Sequence, residues 1–172
     1  LLVVIVGVCI IGGLILREFF AEKIGKQKLS VEFDPSIPGC VSPGVNMLQF
    51  RMKVANHTGN TRDGCRGFIV QIDGPGGFKF VERIPLTWAL LVHIVERKLH
   101  DGDEMFLNLV EVISGRPPRV ITDSNWRNHV LFPEPGNYKI TATVSSEQTS
   151  AQTLQFDFEW FGNESAKLSR VA

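Results

Sequence analysis

The side chains able to do chemistry in this sequence are few and widely spaced. The four histidines, His57, His93, His100 and His129, show no ligand spacing such as two imidazoles on one helix face. His93 and His100 can be drawn together with Asp101 and Asp103 into a metal site, but the plainer reading of that stretch is the polar end of a hairpin. Asp101-Gly102-Asp103-Glu104 lacks the later glutamate and the ligand spacing of an EF-hand calcium loop. No serine sits in a Gly-x-Ser-x-Gly elbow, and the glycine-rich stretch Gly74 to Gly77 joins two strands rather than opening a helix around a phosphate. Cys40 or Cys65 could act as a nucleophile only beside an activating base, which spacing does not supply. The expectation is a non-catalytic protein without cofactor, metal or small-molecule substrate.

Charge narrows the partners further. The 18 basic residues are matched by 18 acidic ones, so no positive field draws in nucleic acid. Cys40 and Cys65 could pair or stay free, and spacing leaves both open.

The chain itself is organised around its opening stretch. Leu1 to Leu16 carries no charged side chain and is built of Leu, Val and Ile, broken by Gly7, Cys9, Gly12 and Gly13. With Phe19 and Phe20 included, and Arg17 and Glu18 snorkelling, about 20 residues give roughly 30 Å of helix, the thickness of a bilayer core. A cleaved signal peptide would need a basic lead-in and a small-x-small cleavage site, and neither is present. A buried core helix would show a polar face, and this one shows none. The chain opens on Leu1 rather than Met, so further residues are expected ahead of the span. Cys9 and Gly13, four apart and beside Gly7 and Gly12, form a small-residue stripe on which another helix could pack. Arg17, Lys23, Lys26 and Lys28 follow the span and favour a cytoplasmic position for what comes next. On that reading the sequons at Asn56 and Asn163 are chance matches.

The division expected is therefore residues 1–28 as transmembrane helix with a basic juxtamembrane segment, and residues 29–172 as one β domain. Leu29 to Asp34 alternates apolar and polar, as do Leu48 to Ala55, Gly67 to Asp73 and Leu154 to Trp160. Met105 to Val112 is apolar on both faces, the mark of a central strand covered on two sides. Further short strands are expected at Phe78 to Glu82, Val120-Ile121 and Ile140 to Val144, with Val130 to Phe132 leading into the turn Pro133-Glu134-Pro135-Gly136. Pro35 to Gly44 and Gly115 to Arg119 read as loops. Pro85 to His100 fits a helical stripe and a strand face equally well, and its strand-rich surroundings favour an extended form. Eight or nine short strands without parallel-sheet helices mean an antiparallel sandwich or barrel. Tyr138, just after Pro135-Gly136-Asn137, stands where immunoglobulin-like sandwiches keep a corner tyrosine whose hydroxyl bonds backbone upstream. The fold expected is thus an immunoglobulin-like antiparallel β-sandwich preceded by a single transmembrane helix.

Val54-Ala55-Asn56, Cys65-Arg66-Gly67-Phe68, Ile84-Pro85-Leu86-Thr87-Trp88, Pro135-Gly136-Asn137-Tyr138 and Trp160-Phe161-Gly162 resemble uncharacterised bacterial proteins with a membrane anchor and a β-sandwich. The apolar run Ala89 to Val95 lies outside that pattern. The resemblance implies the fold and the anchor and brings no catalytic residue with it.

Binding remains as the function. Trp88, Leu90, Leu91, Val92 and Ile94 form either part of the core or an apolar patch that contacts a partner. The leading expectation is an accessory, structural subunit of a larger integral-membrane complex, of the kind found in energy-transducing assemblies, with the lipid bilayer and other membrane subunits as partners. The alternative is a membrane-tethered module that recognises a soluble ligand or protein through loops such as Pro35 to Gly44 and Ser114 to Arg119.

Overall fold

The computed structural model describes residues 28–171 other than 92, 124–128 and 164. The expectations for Gly7, Cys9, Gly12, Gly13, Arg17, Lys23, Lys26 and Val92 lie outside the described residues. Lys28 is exposed at the start of the domain. Among the described residues no helix is long and apolar enough to cross a membrane.

The domain is mainly β, and its named strands all pair antiparallel. In chain order they are β1 (Ser30–Glu32), β2 (Val41–Gly44), β3 (Met47–Ala55), β4 (Arg62–Asp73), β5 (Lys79–Phe80), β6 (Ile84–Pro85), β7 (Arg97–Leu99), β8 (Glu104–Ile113), β9 (Arg119–Val120), β10 (Gly136–Ser146), β11 (Thr149–Trp160) and β12 (Ala166–Arg170). Sheet 1 runs β1-β3-β8-β9, with β2 beside β1 on the same edge of β3. Sheet 2 runs β12-β11-β10-β4, and β5, β6 and β7 share the far edge of β4.

The two sheets face each other in the manner of a sandwich because strand alternation turns one apolar row of each inward. Tyr138, Ile140, Ala142 and Val144 of β10 and Leu154, Phe156, Phe158 and Trp160 of β11 are buried. Phe50 of β3 meets Phe158 edge-on at 6.1 Å, and Phe33, just beyond β1, meets Phe156 at 5.7 Å. The approach is close enough to require glycine at one point. A methyl group on Gly67 of β4 would fall 2.6 Å from Leu107 Cδ1 of β8.

Tyr138 fixes the entry to β10. Its hydroxyl donates to the Glu134 carbonyl oxygen at 2.5 Å, and its ring packs on Phe132 at 5.1 Å. Gly74 leaves room for that ring, since a Cβ there would lie 2.4 Å from Tyr138 Cε1. Cys40, in the turn just before β2, and Cys65 of β4 are buried free thiols. Cys40 bonds the β3 backbone through its carbonyl oxygen, whereas the Cys65 thiol in β4 donates to Arg62 O at 3.4 Å. Asn56 is also fully buried, and its Nδ2 donates to the carbonyls of Asn60 and Leu99.

Several expectations are corrected. Residues 41–44, read as loop, form β2. Pro43 is tolerated there because an edge strand needs no N–H on its free side. β4 starts at Arg62 rather than Gly67, with Gly64 and a register shift inside it. The strand expected at 78–82 shrinks to Lys79–Phe80. Leu131 and Phe132 enter the core from a loop. β12 was not anticipated, because Leu168 is its only buried residue.

The largest correction is Pro85 to His100, which is neither a continuous strand nor a helix. It leaves sheet 2 at β6, bonds sheet 1 through an isolated Trp88–Leu107 bridge, turns, and returns to sheet 2 as β7. Positive φ at Leu90 (66°) and His93 (75°) makes the turn. Both are non-glycine residues in the left-handed region, where L side chains carry strain.

Candidate functional site

The site is built on the outer face of sheet 1. Phe50 and Met52 of β3 turn inward, so Gln49 and Arg51 point outward. On β8 a bulge intervenes: Phe50 pairs with Val110 but Arg51 pairs with Asn108, leaving Leu109 as the extra residue. The bulge sets Asn108 opposite Arg51 while Glu111 stays opposite Gln49. β9 adds Arg119 opposite Glu111, and the crossover from sheet 2 lays Thr87 beside Asn108.

These side chains bond one another in a continuous run. Thr87 Oγ1 donates to Ile121 O at 3.4 Å and accepts from Asn108 Nδ2 at 3.1 Å. Asn108 Oδ1 accepts from Arg51 Nε at 3.2 Å, and Arg51 Nη2 donates to Gln49 Oε1. Gln49 Nε2 in turn donates to Glu111 Oε1 at 2.8 Å. Arg119 closes the run, its Nε and Nη2 both reaching Glu111 Oε2, at 2.6 and 2.5 Å. Asn108 and Glu111 are buried although they lie on an outer face.

A cavity of about 410 Å³ opens over this run, walled by Trp88, Leu90 and His93 on one side and Val120 to Thr122 on the other. The strained turn at Leu90 and His93 forms part of its rim, the kind of place where backbone strain tends to collect at binding sites. The charges are unequal. Glu111 is matched by Arg119, whereas the Arg51 guanidinium makes hydrogen bonds only to the two amide oxygens among the described residues. Partial burial pushes the Arg51 guanidinium below its ordinary value.

A larger cleft, about 850 Å³, lies between the sheets where β2 and β12 stand at neighbouring edges. Val41, Leu48, Phe50, Phe158 and Leu168 line it, with Pro35 at one side. Its charged members, such as Lys139, Asp157 and Lys167, alternate with the inward residues and belong to its margin.

The apolar set expected to act together is divided by the turn. Trp88 is fully buried, its bridge to Leu107 turning the ring inward, and its indole Nε1 has no hydrogen-bond partner among the described residues. Leu91 packs against the core, while Leu90 is 93% exposed and Ile94 42% exposed. The carboxylates of the polar end at His100 to Asp103 are taken up by backbone N–H groups. Asp103 accepts from His100 N at 2.7 Å, and Asp101 accepts from Gly59 N at 2.7 Å. His93 stands apart from this end, at the cavity rim. Among the described residues no group of three or more His, Cys, Asp or Glu could hold a metal ion.

Gln49, Arg51, Thr87, Asn108, Glu111 and Arg119 escaped the sequence reading. The available signal was two polar residues, Asn108 and Glu111, inside an otherwise apolar central strand. Their convergence with Arg51 depends on a bulge that alternation does not reveal. Comparisons with protein-family models, with curated proteins and with solved structures give no match.

Proposed function

We propose that this protein is a membrane-tethered, non-catalytic binding module. It is an immunoglobulin-like sandwich on a single N-terminal transmembrane helix, like the bacterial anchored sandwiches it resembles, and it holds a small ligand in the pocket over sheet 1. The observation that carries this reading is the bonded run from Thr87 to Arg119 beneath an open cavity. Drawing polar groups out of water costs free energy, and a plain solvated strand face would avoid that cost. Binding is favoured over turnover because the Thr87 hydroxyl donates its hydrogen bond to a backbone carbonyl rather than to a base.

The anchor rests on Leu1 to Leu16, and cytoplasmic placement on Arg17, Lys23, Lys26 and Lys28. A buried Asn56, withdrawn from glycan attachment, and two buried free thiols fit that placement. The test is a fragment screen of the full chain in mild detergent, using cationic, neutral and anionic compounds. Fragments that bind the native chain and are lost on Asn108→Leu support the module. A screen in which no fragment distinguishes the two proteins overturns it.

The exposed Leu90 and Ile94 favour a second reading, the accessory subunit of a membrane complex, in which they meet a protein partner. Leu90→Ser would then reduce co-purification with membrane partners while leaving the fold intact. Unchanged co-purification would count against that contact.

A further inference from the structure

We propose that the pocket on the outer face of sheet 1 takes a small organic carboxylate, gripped by the guanidinium of Arg51. The proposal rests on the binding-module reading and supplies its ligand class. Arg51 uses one N–H of Nε for Asn108 Oδ1 and one of Nη2 for Gln49 Oε1. The remaining three of its five N–H groups have no partner among the described residues. Both bonded partners are neutral, so the positive charge is solvated but not neutralised. The nearest acid in the run, Glu111, is committed to Arg119 and Gln49.

The amides cannot turn away. The Gln49 NH₂ is held by Glu111 and the Asn108 NH₂ by Thr87, which fixes both oxygens on Arg51. The guanidinium is thereby oriented before any ligand arrives, and a planar fork of that kind suits a carboxylate. Partial burial, which already weakens the hold of Arg51 on its proton, makes an incoming anion more welcome.

The rest of the pocket selects an organic anion. A cavity of about 410 Å³ is larger than a bare ion needs, and Leu90, Val120 and Ile121 give it apolar walls. A phosphate dianion would call for a second unmatched positive charge, but the Arg119 guanidinium is already paired with Glu111, and the Thr87 hydroxyl donates to Ile121 O. One guanidinium and an apolar wall match one carboxylate on an apolar body.

The experiment is calorimetric titration of the full chain in mild detergent with benzoate, its neutral analogue benzamide, and inorganic phosphate. Benzoate is expected to saturate one site, with benzamide and phosphate at least about tenfold weaker, the loss expected when a charge-assisted hydrogen bond goes. Arg51→Met should abolish benzoate binding, and Arg51→Lys should restore part of it. Asn108→Asp is the second variant, since it places a carboxylate beside Arg51 and should exclude benzoate while keeping the charged network. Benzoate affinity unchanged in Arg51→Met or Asn108→Asp overturns the proposal, and so does benzamide or phosphate binding as tightly. If benzoate is silent while fragments of other charge bind in an Asn108-dependent way, the carboxylate assignment falls and the binding module stands. If nothing binds there, both fall.

Discussion

On sheet 2 outward residues of β10 and β11 such as Lys139, opposite Asp157, and Gln155 stand exposed to water, with Thr141 and Thr143 half-buried between them. On sheet 1 the outward residues of β3 and β8, Gln49, Arg51, Asn108 and Glu111, are half-buried or buried and bonded to each other. Both faces come from the same alternation of apolar and polar residues. They differ in what lies over them. The crossover leaves sheet 2 after β6 and runs along the side of β8 away from β3, next to β9, where it and residues 119–122 raise a rim around polar groups that would otherwise be ordinary surface. A strand face becomes a site when a neighbouring connection encloses it.

That contrast can be broken at its wall. Trp88→Ala removes a fully buried ring from the crossover and should cost about 3–5 kcal/mol in chemical denaturation. A loss under about 1 kcal/mol would mean that the crossover contributes little to holding sheet 1.

The faces themselves are compared by Glu111→Ala and Asp157→Ala. The first strands Arg119 and the Gln49 amide and should cost about 1–3 kcal/mol. The second sits on the open face and should stay within about 0.5 kcal/mol. Equal losses in denaturant titrations would erase the distinction between the two faces.

The inner side of β4 provides a pH probe belonging to neither outer face. Burial pushes the Cys65 thiol from 9.0 up to about 11. The unfolded chain therefore releases this proton first. The stability contributed is present in full below pH 9 and is lost as pH rises toward 11. Stability measured across that window should fall more steeply in the native chain than in Cys65→Ala, and matching slopes would contradict the assignment.

The smallest expected effect is at the rim. Leu90→Gly relieves a left-handed φ at an exposed position, so stability should change by less than about 1 kcal/mol. A larger loss would show that Leu90 packs on something in the folded protein.

The alternation of β3, β8 and β11 was legible because each strand buries a clear apolar row. β2 and β12 were not legible, being short edges that bury little and, in β2, contain Pro43. At Pro85 to His100 the apolar residues carry no single period. Trp88 serves the core and Leu90 serves a turn, and a pattern reading treats them alike. The site stayed hidden for a related reason. Nothing in the sequence marks Leu109 as the bulge that aligns Asn108 with Arg51 and keeps Glu111 on the same face. Tyr138 shows the reverse case, since its bond to Glu134 O is local, four residues away, and a short motif suffices to suggest it.

The central claim is that the outer face of sheet 1 is a binding site and the outer face of sheet 2 is not. Amide-resolved NMR of the full chain in detergent, titrated with the fragments that bind it, tests this most directly. The account predicts shifts clustered at Gln49, Arg51, Thr87, Asn108 and Ile121, with β10 and β11 unmoved. Shifts concentrated on Lys139, Gln155 and Asp157, or in the cleft at Val41 and Leu48, would contradict it.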